Sequence, residues 1–253
     1  MIAIQNLRLC RGKKELISSL TTQLEAGQVV AVLGPNGAGK STLLQAVMVM
    51  FKPEHGLVSL NDASVAAYSK QDLSRLIAWQ GDLPPAEFGL TVGQRLNLAM
   101  EVAHSEPQVM QQRFQSALAY LELESLQTRS LAELSSGERQ RVEIAAIMVR
   151  DNPIWLMDEP TAHLDLRHQA DCLKLMKKEA QNGRLILTVL HDLQQAAAVA
   201  DIVILLDGKG GVEVGEAATM LTAQRLEPVF GVKLKGIGRD LMPIYSGEID
   251  EEA

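Results

Sequence analysis

Cysteine, aromatic residues and an excess of basic charge are all missing or scarce in this sequence. Its 253 residues include two cysteines, and phenylalanine, tryptophan and tyrosine together make up 4%. Lysine and arginine number 24 against 31 acidic residues, which gives a net charge of −7. Cys10 and Cys172 fit neither a disulfide framework nor a zinc-site spacing. An acidic chain with few aromatic rings is poorly suited to phosphate neutralisation and base stacking, so no nucleic-acid partner is expected.

Long apolar runs are also missing. Apolar runs such as Ile202–Leu206 fall far short of the roughly 20 residues that a bilayer-spanning helix needs. No apolar signal region precedes the basic residues Arg11, Lys13 and Lys14. We therefore expect a cytoplasmic protein that acts at a membrane only through a partner. With 47% hydrophobic and 22% charged residues, the composition is that of a globular chain.

Short apolar runs indicate an α/β core. Residues 28–33, 154–157, 185–190 and 202–206 are predicted to be buried strands, because strands covered on both faces are apolar throughout. Residues 2–9 suggest an edge strand, and residues 41–51, 138–150 and 166–181 are predicted helices. Between residues 86 and 150 the sequence favours helices and no strand. The pattern predicts an α/β core interrupted by a helical insertion.

A phosphate-binding loop follows the first buried strand. The segment from Gly34 to Ser41 matches G-x-x-x-x-G-K-[ST], with a strand before it and a helix after it. Glycines let backbone N–H groups surround phosphate oxygens, and the helix directs its positive dipole end at the same anion. Lys40 would reach the β- and γ-phosphates, and the Ser41 hydroxyl would ligate Mg²⁺. The candidate nucleotide contacts here are Gly34, Pro35, Asn36, Gly37, Ala38, Gly39, Lys40, Ser41 and Thr42.

Two carboxylates follow another buried strand. Asp158 and Glu159 come directly after residues 154–157, at the carboxyl edge where open α/β sheets place their ligands. Asp158 is predicted to hold Mg²⁺ through water or through Ser41. Glu159 is placed to activate a hydrolytic water as a general base.

The segment LSSGERQR, residues 134–141, resembles the signature motif of ATP-binding cassette (ABC) ATPases, usually written LSGGQ or LSGGE. The resemblance implies a P-loop NTPase with a RecA-like core, a small antiparallel β-subdomain and a helical insertion. It also implies a head-to-tail homodimer enclosing two ATP molecules, each held by the phosphate loop of one subunit and the signature of the other. The implied signature contacts are Ser135 as hydroxyl donor, Gly137 as close-approach backbone, and the neighbouring Ser136 and Glu138.

Three further residues match the family pattern. Gln80 resembles the glutamine at the entry to the helical insertion, which implies contact with Mg²⁺ or the γ-phosphate and a hinge that senses the membrane partner. For the segment that contains Asp165, the resemblance implies contacts across the dimer. His191 ends a predicted strand, and the resemblance implies a hydrogen bond from it to the γ-phosphate.

Two positions depart from the family pattern. Ser136 replaces the first glycine of the signature, and if that backbone requires a positive φ the serine would cost roughly 1 kcal/mol. Arg11, with its neighbour Cys10 as the alternative, stands where the family usually carries an aromatic residue that stacks on adenine. A guanidinium plane can stack on a base instead, or Arg11 can point to solvent in a basic turn.

The resemblance divides the chain into three parts. Residues 1–85 and 151–232 would form the nucleotide-binding core, residues 86–150 the helical insertion, and residues 233–253 a C-terminal extension with an acidic tail. The insertion starts after Gln80 with Phe88, Leu90 and Val92. These apolar residues either dock a cytoplasmic helix of a permease or pack inside the insertion, and the sequence leaves both interpretations open.

A single cassette without an apolar span implies an ATPase subunit, with ATP and Mg²⁺ as cofactors and separately encoded membrane permeases as partners. The string DEPTAHLDLRHQ and residues 226–232 resemble the importers of iron-siderophores, haem or cobalamin, which implies a substrate-binding protein as well. The expected location is the cytoplasmic face of the inner membrane. Two alternatives are a cassette of a different importer or exporter, and a soluble ABC ATPase acting as an assembly or regulatory factor.

Overall fold

The structure, a computed structural model, describes residues 1–81, 83, 89–101, 106–236 and 242–243. In these residues, two main β-sheets, one two-stranded β-ribbon and a set of flanking helices build the fold. The strands are β1 (Ile2–Arg11), β2 (Lys14–Leu24), β3 (Val29–Leu33), β4 (His55–Leu60), β5 (Ala63–Ser64), β6 (Ile77–Gln80), β7 (Ile154–Asp158), β8 (Leu185–Val189), β9 (Ile202–Leu206), β10 (Val212–Glu216), β11 (Leu234–Lys235) and β12 (Met242–Pro243). The helices are α1 (Lys40–Val47), α2 (Lys70–Leu76), α3 (Val92–Met100), α4 (Pro107–Tyr120), α5 (Ser136–Met148), α6 (Leu166–Gln181), α7 (Leu193–Val199), α8 (Ala217–Met220) and α9 (Ala223–Phe230).

The larger sheet has the strand order β10-β9-β3-β8-β7-β6. Its strands pair in parallel except for β10, which runs antiparallel to β9. The smaller sheet is antiparallel, in the order β2-β1-β4-β5. Because the carboxyl ends of parallel strands meet at one edge, the segments that follow β3, β6, β7 and β8 are brought together there.

The larger sheet separates two hydrophobic cores. Along β3, Val29, Ala31 and Leu33 belong to one core, while Val30 and Val32 belong to the other, as the two-residue period of a strand requires. The first core also takes in apolar residues of α3, α4, α5 and α6. The second lies between the two sheets and includes α1. The helices between β6 and β7 therefore share a core with the sheet.

Helix α1 is shorter than predicted. It begins at Lys40 and ends at Val47, whereas the sequence pattern extended the helix to residue 51. Val49 has a φ of 59°, and a β-branched residue in this left-handed region interrupts helical geometry. The backbone N–H groups of Met50 and Phe51 both bond to the carbonyl of Gln45, which closes the helix end.

The two interpretations of the apolar insertion residues can be separated in part. Val92 is 0% exposed, and Leu90 packs against the first core. A direct contact between Val92 and a permease is therefore wrong, because its side chain is already covered by this chain. Phe88 and the tail beyond residue 243 lie outside the described residues.

Cys10 and Cys172 are both free thiols. Within the described ranges, none of the helices combines the length and the apolar character needed to cross a bilayer.

Candidate nucleotide site

The phosphate loop joins the end of β3 to the start of α1. Gly34 has a φ of 145°, and a Cβ there would lie 2.3 Å from the carbonyl oxygen of Leu206. A side chain is thus excluded by the backbone of β9, so glycine is required for the loop to leave the sheet. Thr42 is buried behind the loop, while Ser41 is partly exposed at the start of α1.

Lys40 lies folded over the phosphate loop. Its Nζ donates hydrogen bonds to the carbonyls of Gly34 at 2.8 Å and Pro35 at 3.0 Å, and the residue is 5% exposed. Burial lowers the pKa of Lys40, and the nearby charges of Glu159 and Asp158 oppose that shift. A buried ammonium held by backbone carbonyls is available to exchange them for a stronger anionic partner.

Gln80 connects the ends of two neighbouring strands. It closes β6 and pairs with Met157 of β7, directly before Asp158. Its Nε2 donates to the carbonyls of Gly81 at 2.8 Å and Asp158 at 3.2 Å. Its Oε1 is buried and has no hydrogen-bond partner among the described residues. This orphaned acceptor, on an amide that contacts Asp158, is the kind of oxygen ligand that Mg²⁺ takes.

Magnesium fits this edge without a dedicated protein cage. The described residues contain no group of three or more His, Cys, Asp and Glu side chains that could hold a metal ion alone. Mg²⁺ commonly uses one or two carboxylates together with substrate phosphates. Ser41, Gln80 and Asp158 offer one hydroxyl, one amide oxygen and one carboxylate, which matches such a shared site.

Glu159 and His191 are in direct contact. Oε1 of Glu159 lies 2.6 Å from Nε2 of His191, and both side chains are 44% exposed. Glu159 has a φ of 53°, an uncommon conformation for a residue with a Cβ, and such strain often marks functional positions. Its N–H donates to the carbonyl of Val189 at 3.3 Å, which ties the end of β7 to that of β8.

The signature residues form the start of α5. Ser135 is its N-cap: the Ser135 hydroxyl accepts from the N–H of Glu138 at 3.2 Å and donates to the Glu138 carboxylate at 2.7 Å. The pKa of Glu138 is lowered by that hydrogen bond from the Ser135 hydroxyl and by one from the Ser135 backbone N–H, at 2.8 Å. Ser136 is the first helical residue and has no positive φ. The strain that a positive φ would cause at Ser136 is therefore absent, because a serine adopts a helical φ without strain.

The signature is packed against the segment after Glu159. A Cβ on Gly137 would lie 2.8 Å from the carbonyl oxygen of His163, so this glycine permits a close backbone approach. Gln140, which is 2% exposed, donates from Nε2 to the carbonyl of Pro160 at 2.9 Å. Asp165 caps α6 and lies 2.9 Å from Nδ1 of His168. Its pKa is lowered mainly by the backbone N–H of His168 and then by that ring.

Sequence reasoning missed several polar contacts around this segment. The Thr161 hydroxyl donates to Oε1 of Gln195 at 2.7 Å, and Nε2 of Gln195 donates to Oε1 of Gln169 at 3.1 Å. Gln169 in turn donates to the carbonyl of Leu164 at 3.1 Å. These amides link α7, which follows His191, to the loop before α6. Nothing in residue spacing alone would have paired them.

The β1–β2 turn adds a second lysine to the phosphate loop. Arg11 ends β1 and is exposed. Lys14, which was not predicted, donates from Nζ to the carbonyl of Gly37 at 2.8 Å. The turn that carries Arg11, in place of the usual aromatic residue, therefore contacts the phosphate loop through Lys14.

A family model described as ABC transporter matches residues 17–162. The chain belongs to the ABC transporter family. It is similar to the hemin import ATP-binding protein HmuV of Ruegeria sp. (strain TM1040), at 36% identity over 242 residues and 91% of each chain. It is also similar to the protein of that name from Pseudomonas entomophila (strain L48), at 34% identity, covering 92% of this chain and 93% of the relative.

Solved structures agree with this membership. The ATP binding subunit of an ABC transporter superposes with a TM-score of 0.81 at 24% identity, over 92% of this chain and 95% of that one, which speaks for the fold alone. A structure described as a metal-chelate type ABC transporter, in an inward-facing conformation, superposes with a TM-score of 0.79 at 26% identity, over 97% and 98%. The predicted P-loop NTPase fold is confirmed, as is the prediction of an ATP-hydrolysing ABC transporter subunit.

Proposed function

We propose that this ABC transporter subunit powers the import of a metal chelate, namely hemin or a related iron-siderophore or cobalamin. The observation that carries the proposal is the similarity over nine-tenths of the chain to relatives named as hemin import ATP-binding proteins. The likeness to a metal-chelate type transporter at 26% identity supports the same cargo class. The direction of transport and the class of cargo are both inferred from the similarity to these proteins.

Hydrolysis is assigned to the residues at the carboxyl edge of the larger sheet. Glu159 acts as the general base for the attacking water. His191, 2.6 Å from it, orients the carboxylate and reaches the γ-phosphate when ATP is present. Ser41, Gln80 and Asp158 would hold Mg²⁺, which when bound would offset negative charge on the phosphates. The phosphate loop and Lys40 bind the β- and γ-phosphates through backbone N–H groups and the ammonium.

Two copies close around two ATP molecules in the proposed cycle. The residues offered to the partner's ATP are Ser135, Ser136, Gly137, Glu138 and Asp165. Since the Ser135 hydroxyl donates to Glu138 in the single chain, it must turn from that carboxylate to a phosphate oxygen on closure. The N-terminus of α5 supplies an anion-binding dipole at the same place.

A permease contact is proposed at a groove beside Gln80 rather than at Val92. The groove has a volume of about 660 Å³ and is lined by the residues that follow α1, by α2 and by Trp79. Met50 and Val49 on its rim are 63% and 46% exposed, an apolar surface of the kind that marks protein contacts. Trp79 directly precedes Gln80, so an apolar helix seated here would bear on the nucleotide site.

The proposed assembly therefore contains a homodimer of this chain, two membrane permease subunits and a substrate-binding protein. The cassette lies on the cytoplasmic face of the inner membrane, where ATP is available. No nucleic acid takes part, in keeping with the net charge of −7.

The identity of the cargo is tested by reconstitution in proteoliposomes with the permease and the binding protein that adjacent genes encode. Hemin, a ferric siderophore and cobalamin are supplied separately, and ATP-dependent uptake of one of them is expected, with loss of uptake in Glu159→Gln. Transport of another cargo class would refute the metal-chelate assignment. Co-purification of soluble partners without a multi-span membrane protein would favour the assembly-factor alternative.

Met50→Glu tests the groove in a pull-down of the permease. The expected result is loss of the permease with unchanged basal ATPase activity, because a carboxylate enters an apolar contact. Val109→Glu is the matched control, since Val109 is a partly exposed apolar residue on α4, away from the groove. Retention of the permease by Met50→Glu would show that the contact lies elsewhere.

A further inference from the structure

A second cavity lies at the opposite end of β7 from the nucleotide site. It has a volume of about 260 Å³ and opens between α4, α5, α6 and the start of β7. Met148, Trp155 and Leu175 give it an apolar wall, whereas Arg113, Lys178 and Arg184 place cationic groups around it. Trp155 precedes Asp158 by three residues, so the cavity is about 10 Å along the strand from the catalytic carboxylates.

Two of the residues that line this cavity each carry a buried hydrogen-bond donor without an acceptor. Trp155 is 1% exposed, and its indole Nε1–H is buried without a partner in the described part of the chain. Nη1 of Arg113 is likewise buried and unpartnered. Both groups can only donate, so what satisfies them must be an acceptor.

The charges around the cavity favour an anion. Arg113 and Arg184 share Asp151, with Nη2–Oδ1 distances of 2.8 and 3.3 Å, and Arg184 also pairs with Glu179 at 2.7 Å. Lys178 makes no ion pair with any described residue. Three cationic groups therefore face two carboxylates. Of the two donors without an acceptor, one belongs to the cationic Arg113 and the other to the neutral indole of Trp155.

We propose that this cavity is a binding site for a small oxyanion, of the phosphate or carboxylate class. The oxyanion accepts hydrogen bonds from Trp155 Nε1 and Arg113 Nη1, with Lys178 closing the open side. The volume exceeds that of several water molecules at about 30 Å³ each, which leaves room for such an anion. The site is separate from the phosphate loop, since β7 spans the distance between them.

The indole N–H of Trp155 is a direct probe of this site. The chain has two tryptophans, so the ¹⁵N-labelled full chain gives two indole signals, and Trp79→Phe assigns them. Inorganic phosphate and acetate are titrated separately at constant ionic strength. The Trp155 signal should move downfield and saturate, because its proton becomes hydrogen-bonded to the anion. Saturation with phosphate, with acetate or with both tells the two classes apart. Lys40→Ala should leave this titration unchanged, since phosphate in the nucleotide loop is not sensed here.

Paired variants separate anion binding from structural disturbance. Arg113→Gln and Asp151→Asn both remove the 2.8 Å ion pair, but the first removes a donor and the second a competing carboxylate. Affinity should fall about 10- to 100-fold in Arg113→Gln and rise in Asp151→Asn. Lys178→Gln should weaken binding, whereas its exposed neighbour Lys177→Gln should not. An unmoved Trp155 signal, or equal shifts in Arg113→Gln and wild type, would overturn the proposal.

Discussion

Nε2 of His191 and Oε1 of Glu159 lie 2.6 Å apart at the ends of two neighbouring parallel strands. The contact joins the proposed base to the histidine that is proposed to reach the γ-phosphate. The side chain of Glu159 is 44% exposed. A hydrogen bond to the His191 imidazole fixes the orientation of its carboxylate, which would otherwise be free to rotate. The proposed catalytic pair is therefore in direct contact within one chain.

Glu159→Gln should lower ATP hydrolysis by about 10² to 10⁴, the range expected when a general base is removed. ATP binding should persist, because the phosphate loop and Lys40 are untouched. The variant should therefore accumulate as an ATP-dependent dimer, measured by size-exclusion chromatography with a parallel turnover assay. Glu25→Gln, an exposed acid-to-amide change, serves as the control. A monomeric profile with near-normal turnover would rule out Glu159 as the base.

Lys40→Gln should weaken ATP binding about 10- to 100-fold, since a charged hydrogen-bond donor to phosphate is lost. It should also change the pH dependence of stability. Burial lowers the pKa of Lys40 in the folded chain, so just below the ordinary value of 10.5 the unfolded chain binds more protons. Wild type must then gain stability relative to the variant as pH rises towards 10.5.

Urea unfolding at pH 7 and near pH 10 measures that change, with exposed Lys209→Gln as the control. The free energy of unfolding of Lys40→Gln should exceed that of wild type at neutral pH, and the difference should shrink at the higher pH. A constant difference between the two pH values would mean that Lys40 keeps an ordinary pKa in the fold.

The sequence predicted the strands of the larger sheet that precede Lys40 and Asp158 better than it predicted the smaller sheet. Lys40 and Asp158 could be placed because each follows a short apolar strand, and parallel strands deliver their ends to one edge. Strand β2 was missed because its buried residues are Leu16, Ile17, Leu20 and Leu24, a spacing closer to a helix than to a strand. Register shifts in the β1–β2 pairing break the two-residue alternation that would have revealed it.

The residues that sequence reasoning could not find act through contacts across long stretches of chain. Lys14 reaches Gly37 only because β1 and β2 form a hairpin that folds over the phosphate loop. Gln195 meets Gln169 because α6 and α7 pack together. The roles of the motif residues remain proposals, and so does the division at residues 85, 150 and 232.

Ser136→Gly should not stabilise the protein, although it restores the usual family residue. Ser136 occupies the first helical position of α5 without a positive φ, and glycine in a helix is less favourable by up to about 0.5 kcal/mol relative to serine. Urea unfolding should show a slightly lower free energy of unfolding for the variant. An increase of about 1 kcal/mol, the strain relief expected for a left-handed residue, would contradict the helical assignment.

Ser135→Ala should lower the free energy of unfolding by about 1 kcal/mol at neutral pH, because α5 loses its N-cap. Hydrogen bonds from Ser135 lower the pKa of Glu138 in the folded chain. The stabilisation from these bonds to the Glu138 carboxylate is therefore present above the ordinary carboxylate pKa of 4.5. It is lost as pH falls through the lowered value. The difference between wild type and variant should therefore shrink on acidification. A difference that is independent of pH would show that the Glu138 carboxylate takes no part in the cap.

The basic turn between β1 and β2 yields the last prediction, which concerns the choice of nucleotide. Lys14 donates to the carbonyl of Gly37, so Lys14→Ala should weaken ATP and GTP equally by loosening the loop that holds their shared phosphates. Arg11 is exposed, and a guanidinium stacks on any base. Arg11→Ala should therefore weaken both nucleotides by a smaller factor, and Arg11→Tyr should match or strengthen ATP binding.

Titrations of ATP and GTP against wild type, Arg11→Ala, Lys14→Ala and the control Lys13→Ala decide between these effects. Wild-type affinities for the two nucleotides should agree within about one order of magnitude, or roughly 1.4 kcal/mol, because the phosphates supply most of the binding. Unchanged affinities in Arg11→Ala would mean that this residue never touches the base. A loss in Lys14→Ala no larger than in Lys13→Ala would mean that the Gly37 contact does not shape the loop, since the two lysines then act only through their charge.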